Sequence, residues 1–357
     1  MKSVAVFNNK GGVGKTTIAT NLGYELARSG NRVLVIDLDP QSNTTQVVLN
    51  QDQVERLYTK SLNAVDRIRS IKDIYTPMLD SNEATIGKVD EAILPSKRHK
   101  FLFDIIPSSL MLSEFEDTLS DAWSDLRANK LGGLRRTNWF SQLAEQIEDK
   151  YDYLILDLSP SLGALNRSVL LNVDSFIIPV TGDIYNIYGI KNISTWIKGW
   201  IKIYTRAMGY LEEDYSSNVL DDAKINRDIR ENNFKKFAGF VVSKARTSGK
   251  GHDRRIISYQ NYNVNDIRHV INDSLIFAAM NKDISALELG EVLEIRAFLT
   301  EAEGAHEPAY KSVVDSLNSS APNEKAFAGE PSMDAKYGMM KSFEKIASNL
   351  LQNLRND

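Results

Sequence analysis

The chain is 357 residues long, enough for one large domain or two smaller ones with a sizeable buried core. Its 43 Lys plus Arg against 47 Asp plus Glu mean that nucleic-acid binding would need a local basic patch. The absence of cysteine excludes disulfides, thiolate zinc sites, iron–sulfur clusters and a cysteine nucleophile. No signal peptide pattern and no apolar run near the ~18 residues of a transmembrane helix is present, so we expect a soluble cytoplasmic protein.

The first 37 residues carry the pattern of a strand, a helix and a second strand. Residues 3–7 are a short β-branched and aromatic run, and residues 16–28 have apolar side chains at helical spacing, followed by Gly30 as a helix-ending glycine. Residues 32–36, RVLVI, form a continuous apolar run, as expected for a strand buried on both faces of a parallel sheet. Together these segments predict one βαβ unit.

The same alternation continues along the chain. Helical patterns separate four further apolar runs, at residues 101–106, 153–156, 175–180 and 237–242. Strands that alternate with helices are typical of a doubly wound α/β fold, in which helices cover both faces of a mostly parallel sheet. We therefore predict that residues 1–357 form a single α/β domain.

Three stretches fit this alternation less well, and a helix pattern closes the chain. Residues 51–100 are polar and residues 207–235 are highly charged, so both are predicted to be insertions. Residues 318–335 are rich in Ser, Ala, Pro and Gly and predict a loop. Residues 339–355 predict an amphipathic C-terminal helix. Its polar face is not notably basic, which favours packing against the domain over attachment to a membrane surface.

The segment between the first strand and the first helix is glycine-rich and carries two lysines. It reads Asn9-Lys10-Gly11-Gly12-Val13-Gly14-Lys15-Thr16-Thr17. Glycines let backbone N–H groups converge on a phosphate, and the helix N-terminus adds its positive dipole end. Lys15 would reach the β- and γ-phosphates, and the Thr16 hydroxyl would bind Mg²⁺. The strict phosphate-loop pattern requires glycine where this chain has Asn9, so a pattern search would miss the site.

Three aspartates follow predicted strands. Asp37 and Asp39 come just after the second strand, and Asp157 follows the apolar run at residues 153–156. Ligands of open α/β sheets bind beside the carboxyl ends of the strands, where such carboxylates can hold Mg²⁺ through water. A single aspartate at a strand end is more often a turn or cap residue. Three of them downstream of a glycine loop favour a nucleotide site.

The motifs KGGVGKTT, DLDPQSN and YDYLILDLSPS occur in this order and resemble those of the ParA/MinD family of deviant Walker A ATPases. The similarity is greatest to the ParA branch, in which the segment after the second strand typically reads DLDPQ. Weaker similarities lie at residues 103–109, 173–190 and 280–295, the last at the position of the family's nucleotide-base loop. The resemblance covers most of residues 1–300 and implies a P-loop NTPase fold, with ATP as nucleotide and Mg²⁺ as metal.

Lys10 has a separate role in that family, where it is the signature lysine. The resemblance implies a homodimer with ATP sandwiched between the subunits, in which Lys10 touches the phosphates bound by the partner. Its physical effect would be that of an arginine finger supplied in trans. Gly11 and Gly12 would permit the close approach of the two subunits. A solvated loop lysine without such a role is the alternative.

The resemblance also implies roles for the aspartates. Asp37 and Asp157 would hold magnesium-bound water, and Asp39 would orient the attacking water. Two positions depart from the family pattern: Ser159 replaces a proline, and Ser243 stands where an asparagine often reads adenine. The preference for adenine over guanine is therefore an inference from the family alone.

Many ParA proteins bind DNA without sequence preference when dimeric with ATP, and two basic segments are candidates here. Residues 188–210 predict a helix on which Lys198 and Lys202 share one face, although a solvated amphipathic helix explains this pattern equally well. Residues 243–255 carry five positive charges, which predict phosphate contacts. These five are Lys244, Arg246, Lys250, Arg254 and Arg255.

The resulting hypothesis is an ATP-dependent dimerisation switch associated with the nucleoid. It would partition or position a plasmid, chromosome or other cargo, and a ParB-like or adaptor protein would stimulate hydrolysis. A MinD-like membrane-associated regulator is the main alternative. A metabolic P-loop synthetase or reductase is another, but a reductase like the nitrogenase iron protein needs cysteines that this chain lacks.

Overall fold

The computed structural model describes residues 1–59, 66–80, 84–222, 226, 229–230, 233–245, 247–248, 255–256, 264–294, 296–318 and 331–355. Within these ranges the strands, in chain order, are β1 (Lys2–Val6), β2 (Val33–Leu38), β3 (Asp104–Ile106), β4 (Tyr153–Leu158), β5 (Ser175–Val180), β6 (Phe237–Ala245), β7 (Thr247–Ser248), β8 (Arg255–Ile256) and β9 (Glu288–Glu294).

Seven of these strands form one sheet in the order β3-β2-β4-β1-β5-β6-β9, and every neighbouring pair is parallel. Strands β7 and β8 form a separate antiparallel pair. Parallel neighbours need crossover connections, which the helices provide. The prediction of a doubly wound α/β fold is confirmed, and the sheet is parallel throughout.

Helices pack on both faces of the sheet. In chain order the α-helices are α1 (Lys15–Arg28), α2 (Asn43–Val48), α3 (Gln51–Tyr58), α4 (Ile71–Asp80), α5 (Leu112–Arg127), α6 (Leu131–Thr137), α7 (Trp139–Ile147), α8 (Ala164–Asn172), α9 (Ile184–Asp214), α10 (Ser217–Asp222), α11 (Val264–Leu275), α12 (Ile284–Leu287), α13 (Arg296–Ala305), α14 (Lys311–Leu317) and α15 (Pro331–Arg355). Short 3₁₀ turns occur at Val89–Ala92, Ser96–Arg98 and Ile276–Ala278.

Strand β2 shows why the continuous apolar run was a good predictor. Its side chains alternate between the two faces, as a strand requires. Leu34 and Ile36 join the core that contains residues of α5, α7, α8 and α9, whereas Val33 and Val35 join the core that contains residues of α1 and α15. All six residues of β2 are buried, so both faces of the sheet need apolar side chains.

The two edge strands differ from their predictions. Strand β3 covers only Asp104–Ile106 of the predicted run. Phe101 and Phe103, which precede the strand, pack on each other with ring centroids 5.1 Å apart. Residues 280–295 were expected to be a nucleotide-base loop, but Glu288–Glu294 pairs with β6 as an edge strand. Its three glutamates interrupt the apolar pattern that identifies a central strand.

Two predicted boundaries also shift. Helix α9 continues to Asp214, so the charged insertion predicted from residue 207 begins later in the chain. Ala207, Met208 and Leu211 are buried, which explains why the helix does not stop earlier. Residues 319–330 of the predicted loop lie outside the described residues, and helix α15 begins at Pro331.

Helix α15 packs against β9, β6 and α1. Phe343, Ile346 and Leu350 are fully buried on its apolar face. Glu344 accepts a hydrogen bond from Arg28 of α1 at 2.7 Å, which ties the last helix to the helix that follows the glycine loop. Across the described ranges, no helix combines the length and apolar character needed to span a bilayer.

Candidate nucleotide-binding site

The glycine loop and the three aspartates meet at the carboxyl ends of adjacent central strands. Strand β4 lies between β2 and β1, so Asp37 and Asp157 are register partners and Val6, at the end of β1, pairs with Asp157. An open cleft of about 450 Å³ lies over these strand ends. It is lined by Gly11, Gly12, Gly14, Lys15, Thr16, Thr17, Asp39, Gln41, Asn43, Pro160, Leu299, Thr300 and Glu303.

The glycine loop has the backbone conformation that a phosphate cradle needs. Gly12 and Gly14 adopt φ angles of 69° and 85°, a region that side chains disfavour. Gly14 directly precedes α1 and provides no side-chain cap, so the first N–H groups of that helix have no capping side chain at this position. These groups and the positive end of the helix dipole suit an anionic ligand.

Lys15 is the buried lysine of the loop, with only 8% of its surface exposed. Its Nζ donates to the carbonyl oxygen of Lys10 at 3.1 Å. Burial lowers the pKa of the Lys15 ammonium, whereas the negative charges of Asp157 and Asp39 act in the opposite direction. A phosphate in the cleft would supply the counter-charge that this buried cation needs.

Asp157 has one carboxylate oxygen in use and one without a partner. Its Oδ2 accepts hydrogen bonds from Thr16 and Thr44, both at 2.8 Å, while its buried Oδ1 has none. Burial raises the pKa of this carboxyl to about 6, although the two threonines lower it. The unpartnered oxygen beside the Thr16 hydroxyl is a donor set that suits a magnesium ion or its bound water.

Asp37 is fully buried, and its two oxygens hold the segment that follows β2. Its Oδ1 accepts from the backbone N–H of Asp39 at 3.1 Å, and its Oδ2 accepts from the N–H and hydroxyl of Thr45 at 2.8 and 2.7 Å. Burial and then the charge of Asp157 raise the pKa of Asp37 to about 8. Asp37 and Asp157 are therefore protonated more readily than exposed carboxyls. A cation bound beside them would favour their ionised forms.

Lys10 occupies a different environment from Lys15. Its side chain is one-third exposed, and its Nζ lies 2.6 Å from Oδ2 of Asp183, the residue that caps the N-terminus of α9. Burial by itself would raise the pKa of Asp183, but hydrogen bonds from Lys10 and two neighbouring polar side chains outweigh it and lower the pKa to about 2. In this structure Lys10 therefore pairs with a residue of its own chain.

The two positions that depart from the family pattern make structural hydrogen bonds. Ser243 donates its hydroxyl to the carbonyl oxygen of Val13 at 3.0 Å, which ties β6 to the glycine loop. Ser159 lies within hydrogen-bonding distance of Ser161, at 3.1 Å, and accepts from the amide of Asn166. Ser243 is thus engaged with the loop backbone.

Comparison with known proteins agrees with this geometry. A profile of the family described as AAA domain matches residues 1–209. The sporulation initiation inhibitor protein Soj of Bacillus subtilis is 31% identical over 199 residues, 55% of this chain and 65% of Soj. A virulence plasmid ParA family protein of Chlamydia psittaci is 34% identical over 195 residues, 54% of this chain and 62% of that protein. The chain thus spans less than two thirds of the length of these relatives.

The chain belongs to the ParA/MinD family of P-loop ATPases. The crystal structure of a protein from Corynebacterium diphtheriae is similar to it, with a TM-score of 0.65 and 28% identity over 88% of this chain and 99% of that one. A protein of Borrelia burgdorferi whose structure was solved with bound AMPPNP shares the fold, with a TM-score of 0.52 and 17% identity over 98% of both chains.

Only part of the basic surface predicted for this ParA/MinD-family chain can be located. Lys198 and Lys202 are exposed on α9, and Lys198 lies 4.6 Å from the ring centre of Phe277. No acidic residue occurs between Ile184 and Leu211. Arg246, Lys250 and Arg254 lie outside the described residues, as do the side chains of Lys244 and Arg255.

Several contributors to the site were not predicted. Thr44, Thr45 and Asp183 bind the key side chains directly, and Leu299, Thr300 and Glu303 of α13 line the cleft. Thr44 and Thr45 follow the DLDPQSN motif immediately, which is a signal that could have been used. Asp183 and α13 lie far away in sequence, and only the strand order brings them close.

Proposed function

We propose that this chain is a ParA-like ATPase that works as an ATP-dependent dimerisation switch. The observation that carries the proposal is the unequal environment of its two loop lysines. Lys15 is buried beneath the cleft, whereas Lys10 is part-exposed and held by an ion pair that a stronger anion could replace. A cation at the surface of a phosphate site is suited to reach a second subunit.

The chain's own residues divide the work of nucleotide binding. Lys15 and the loop N–H groups would hold the phosphates, and Gly11, whose Cβ position is open, would let a second subunit approach closely. Thr16, Asp157 and, next to them, Asp37 would hold Mg²⁺, which when bound neutralises phosphate charge. Asp39, which lines the cleft, would orient the attacking water.

The surface beside Lys10 supports association with a second copy. Ile184, Tyr185 and Tyr188 lie within five residues after Asp183 and expose 44%, 76% and 63% of their surfaces. Exposed apolar clusters of this kind often mark protein contacts. ATP bound between two such faces would add the charge interaction with Lys10.

The test compares wild type with Lys10→Ala and Lys15→Ala by sedimentation velocity and ATP turnover. Lys15→Ala should lose nucleotide binding. Lys10→Ala should retain binding of a fluorescent ATP analogue but fail to dimerise, and its turnover should fall by about 10³-fold or more. Full dimerisation and turnover in Lys10→Ala would contradict the proposal.

We also propose that the dimer binds DNA without sequence preference and that a ParB-like or adaptor protein stimulates hydrolysis, which would keep the protein on the nucleoid. The absence of acidic residues on α9 between Ile184 and Leu211 supports this. A MinD-like membrane attachment through α15 is disfavoured, because the apolar face of that helix is buried against β9. ATP-dependent sedimentation with anionic liposomes, compared with DNA gel shift, separates the two.

A further inference from the structure

A closed ring of hydrogen bonds surrounds the backbone of Asp39, the residue proposed to orient water. The N–H of Asp39 donates to Oδ1 of Asp37 at 3.1 Å. The carbonyl oxygen of Asp39 accepts from the hydroxyl of Ser108 at 2.7 Å. Both backbone groups of this residue are thus bonded to side chains, one from Asp37 two residues earlier and one from the distant Ser108.

Thr45 completes the ring. The N–H of Ser108 donates to the Thr45 hydroxyl oxygen at 2.8 Å, and that hydroxyl donates to Oδ2 of Asp37 at 2.7 Å. The ring therefore joins the end of β2, the beginning of α2 and the segment just after β3. We refer to Asp37, Thr45 and Ser108 as the Asp39 clamp.

The clamp is buried, and its polar side-chain groups have hydrogen-bond partners. Asp37 and Ser108 expose 0% of their surfaces and Thr45 exposes 1%. In such surroundings hydrogen bonds are strong. Loss of the Ser108 hydroxyl would leave the carbonyl oxygen of Asp39 with one donor instead of two, the N–H of Ser42 at 2.8 Å. Asp39 itself is 5% exposed and faces the cleft, so the buried ring ends at a residue that a ligand can touch.

We infer that Ser108 is a positioning residue for ATP hydrolysis, acting through the clamp to fix Asp39. This inference rests on the proposed function, in which Asp39 orients the attacking water. Ser108 is not one of the residues that line the cleft and contacts it through the backbone of Asp39, so its loss should affect the chemical step and not nucleotide binding. A small displacement of a water-orienting carboxylate is costly to turnover.

The test uses Ser108→Ala, with Ser109→Ala as the matched control. Ser109 is the next residue, is also buried at 5% exposure, and accepts a hydrogen bond from the N–H of Met111. Single-turnover hydrolysis by Ser108→Ala should be slower by about ten- to a hundred-fold, with affinity for ADP and KM for ATP within two-fold of wild type. Ser109→Ala should hydrolyse ATP at close to the wild-type rate.

A second pair of variants tests the clamp without relying on one substitution. Thr45→Val removes the hydroxyl at nearly constant volume, and Thr45→Ser restores it. The valine variant should reproduce the slow single turnover and the serine variant should recover most of the rate. Equal rates in the two would overturn the inference, as would a Ser108→Ala variant that matches Ser109→Ala or loses affinity and rate together.

Asp39→Ala distinguishes this inference from the function on which it rests. Normal hydrolysis by Asp39→Ala would overturn the role of Asp39 and, with it, the reason for the clamp. Slow hydrolysis by Asp39→Ala together with normal hydrolysis by Ser108→Ala would overturn the clamp alone. If Asp39 orients the water and the clamp positions Asp39, the Ser108→Ala/Asp39→Ala double variant should be no slower than Asp39→Ala.

Discussion

Burial sets the character of the two loop lysines at the scale of single residues. Lys15 is 8% exposed and bonds a loop carbonyl, whereas the side chain of Lys10 is 33% exposed and pairs with Asp183. A buried cation without a carboxylate bond needs an anionic ligand. A part-exposed pair is weakly held and can be exchanged. Two lysines only five residues apart are therefore suited to different tasks, Lys15 to binding an anion in the cleft and Lys10 to exchanging its ion-pair partner.

The half-buried imidazole of His99 gives a prediction about stability. Burial lowers the pKa of His99 to about 4, although Asp104 acts in the opposite direction, and Nδ1 of the ring accepts a bond from the N–H of Phe101 at 3.3 Å. Because the pKa in the folded state lies below the unfolded value, the unfolded chain binds the proton first as pH falls from 6.5 towards 4. The free energy of unfolding should thus fall, by about 2 kcal/mol from this group between pH 7 and pH 5.

Urea unfolding at the two pH values measures this loss. The variant His99→Gln has no titrating ring, so its free energy of unfolding should change less with pH than that of wild type by the same amount. An identical pH dependence in the two proteins would show that His99 is not the group responsible.

Sequence alone could single out site residues where side chains of suitable chemistry stand together in a short motif. The loop lysines, Thr16 and the three aspartates stand in short motifs, although their roles remain predictions. Ser108 and Asp183 could not be identified, because serine after a strand and aspartate before a helix are common turn and cap residues. Their importance depends on which strands are neighbours.

Helix α9 links the site to the basic surface at the scale of elements. Its N-terminal cap is the partner of Lys10, and its exposed face carries Lys198 and Lys202. If Lys10 leaves Asp183 for a phosphate, the start of α9 loses an ion pair. We expect this exchange to connect nucleotide state with the surface of α9.

Asp183→Asn tests the exchange. Asparagine caps a helix as well as aspartate does but cannot form the ion pair. Because part-exposed pairs contribute ~1 kcal/mol or less, ATP-dependent dimerisation should occur at an ATP concentration about two- to five-fold lower. The control is Glu212→Gln, which removes the Arg230–Glu212 pair at the other end of α9, at side-chain exposures of 33% and 35%. Weaker dimerisation of Asp183→Asn than of the control would contradict the exchange.

Charge reversal on α9 tests the proposed DNA-binding surface. Lys198→Glu/Lys202→Glu should weaken binding of duplex DNA with ATP by about ten-fold or more and reduce the salt slope by about 2. Its affinity for ATP should not change. Lys97→Glu/Lys345→Glu changes net charge equally at two other exposed lysines. DNA binding that survives reversal on α9, or falls equally in the control, would place the interface elsewhere.

Element prediction failed at the edges of the sheet for a physical reason. Central strands such as β2 are buried on both faces and read as apolar runs. Edge strand β9 carries three glutamates in seven residues and gives no such run. The apolar run at residues 101–106 did indicate β3 but started too early, since the strand covers only Asp104–Ile106. The fold class was predicted correctly from the central strands.

The strand order explains the site at the scale of the whole molecule. Because β4 lies between β2 and β1, motifs that are about 120 residues apart in sequence meet at one edge. The cleft also includes α13, which follows the far edge strand β9. A sequence alone does not reveal the order of parallel strands, since any crossover can skip a neighbour.

Association of two copies is the central claim of the account, and mixing two inactive variants tests it most directly. Lys10→Ala should bind ATP but lack the cation for its partner, and Lys15→Ala should keep that cation but fail to bind ATP. In a two-fold symmetric dimer, an equimolar mixture should recover up to about a quarter of wild-type turnover, because half the dimers contain one complete site. A mixture as inactive as its separate components would contradict the account, because Lys10 would then not act across the interface.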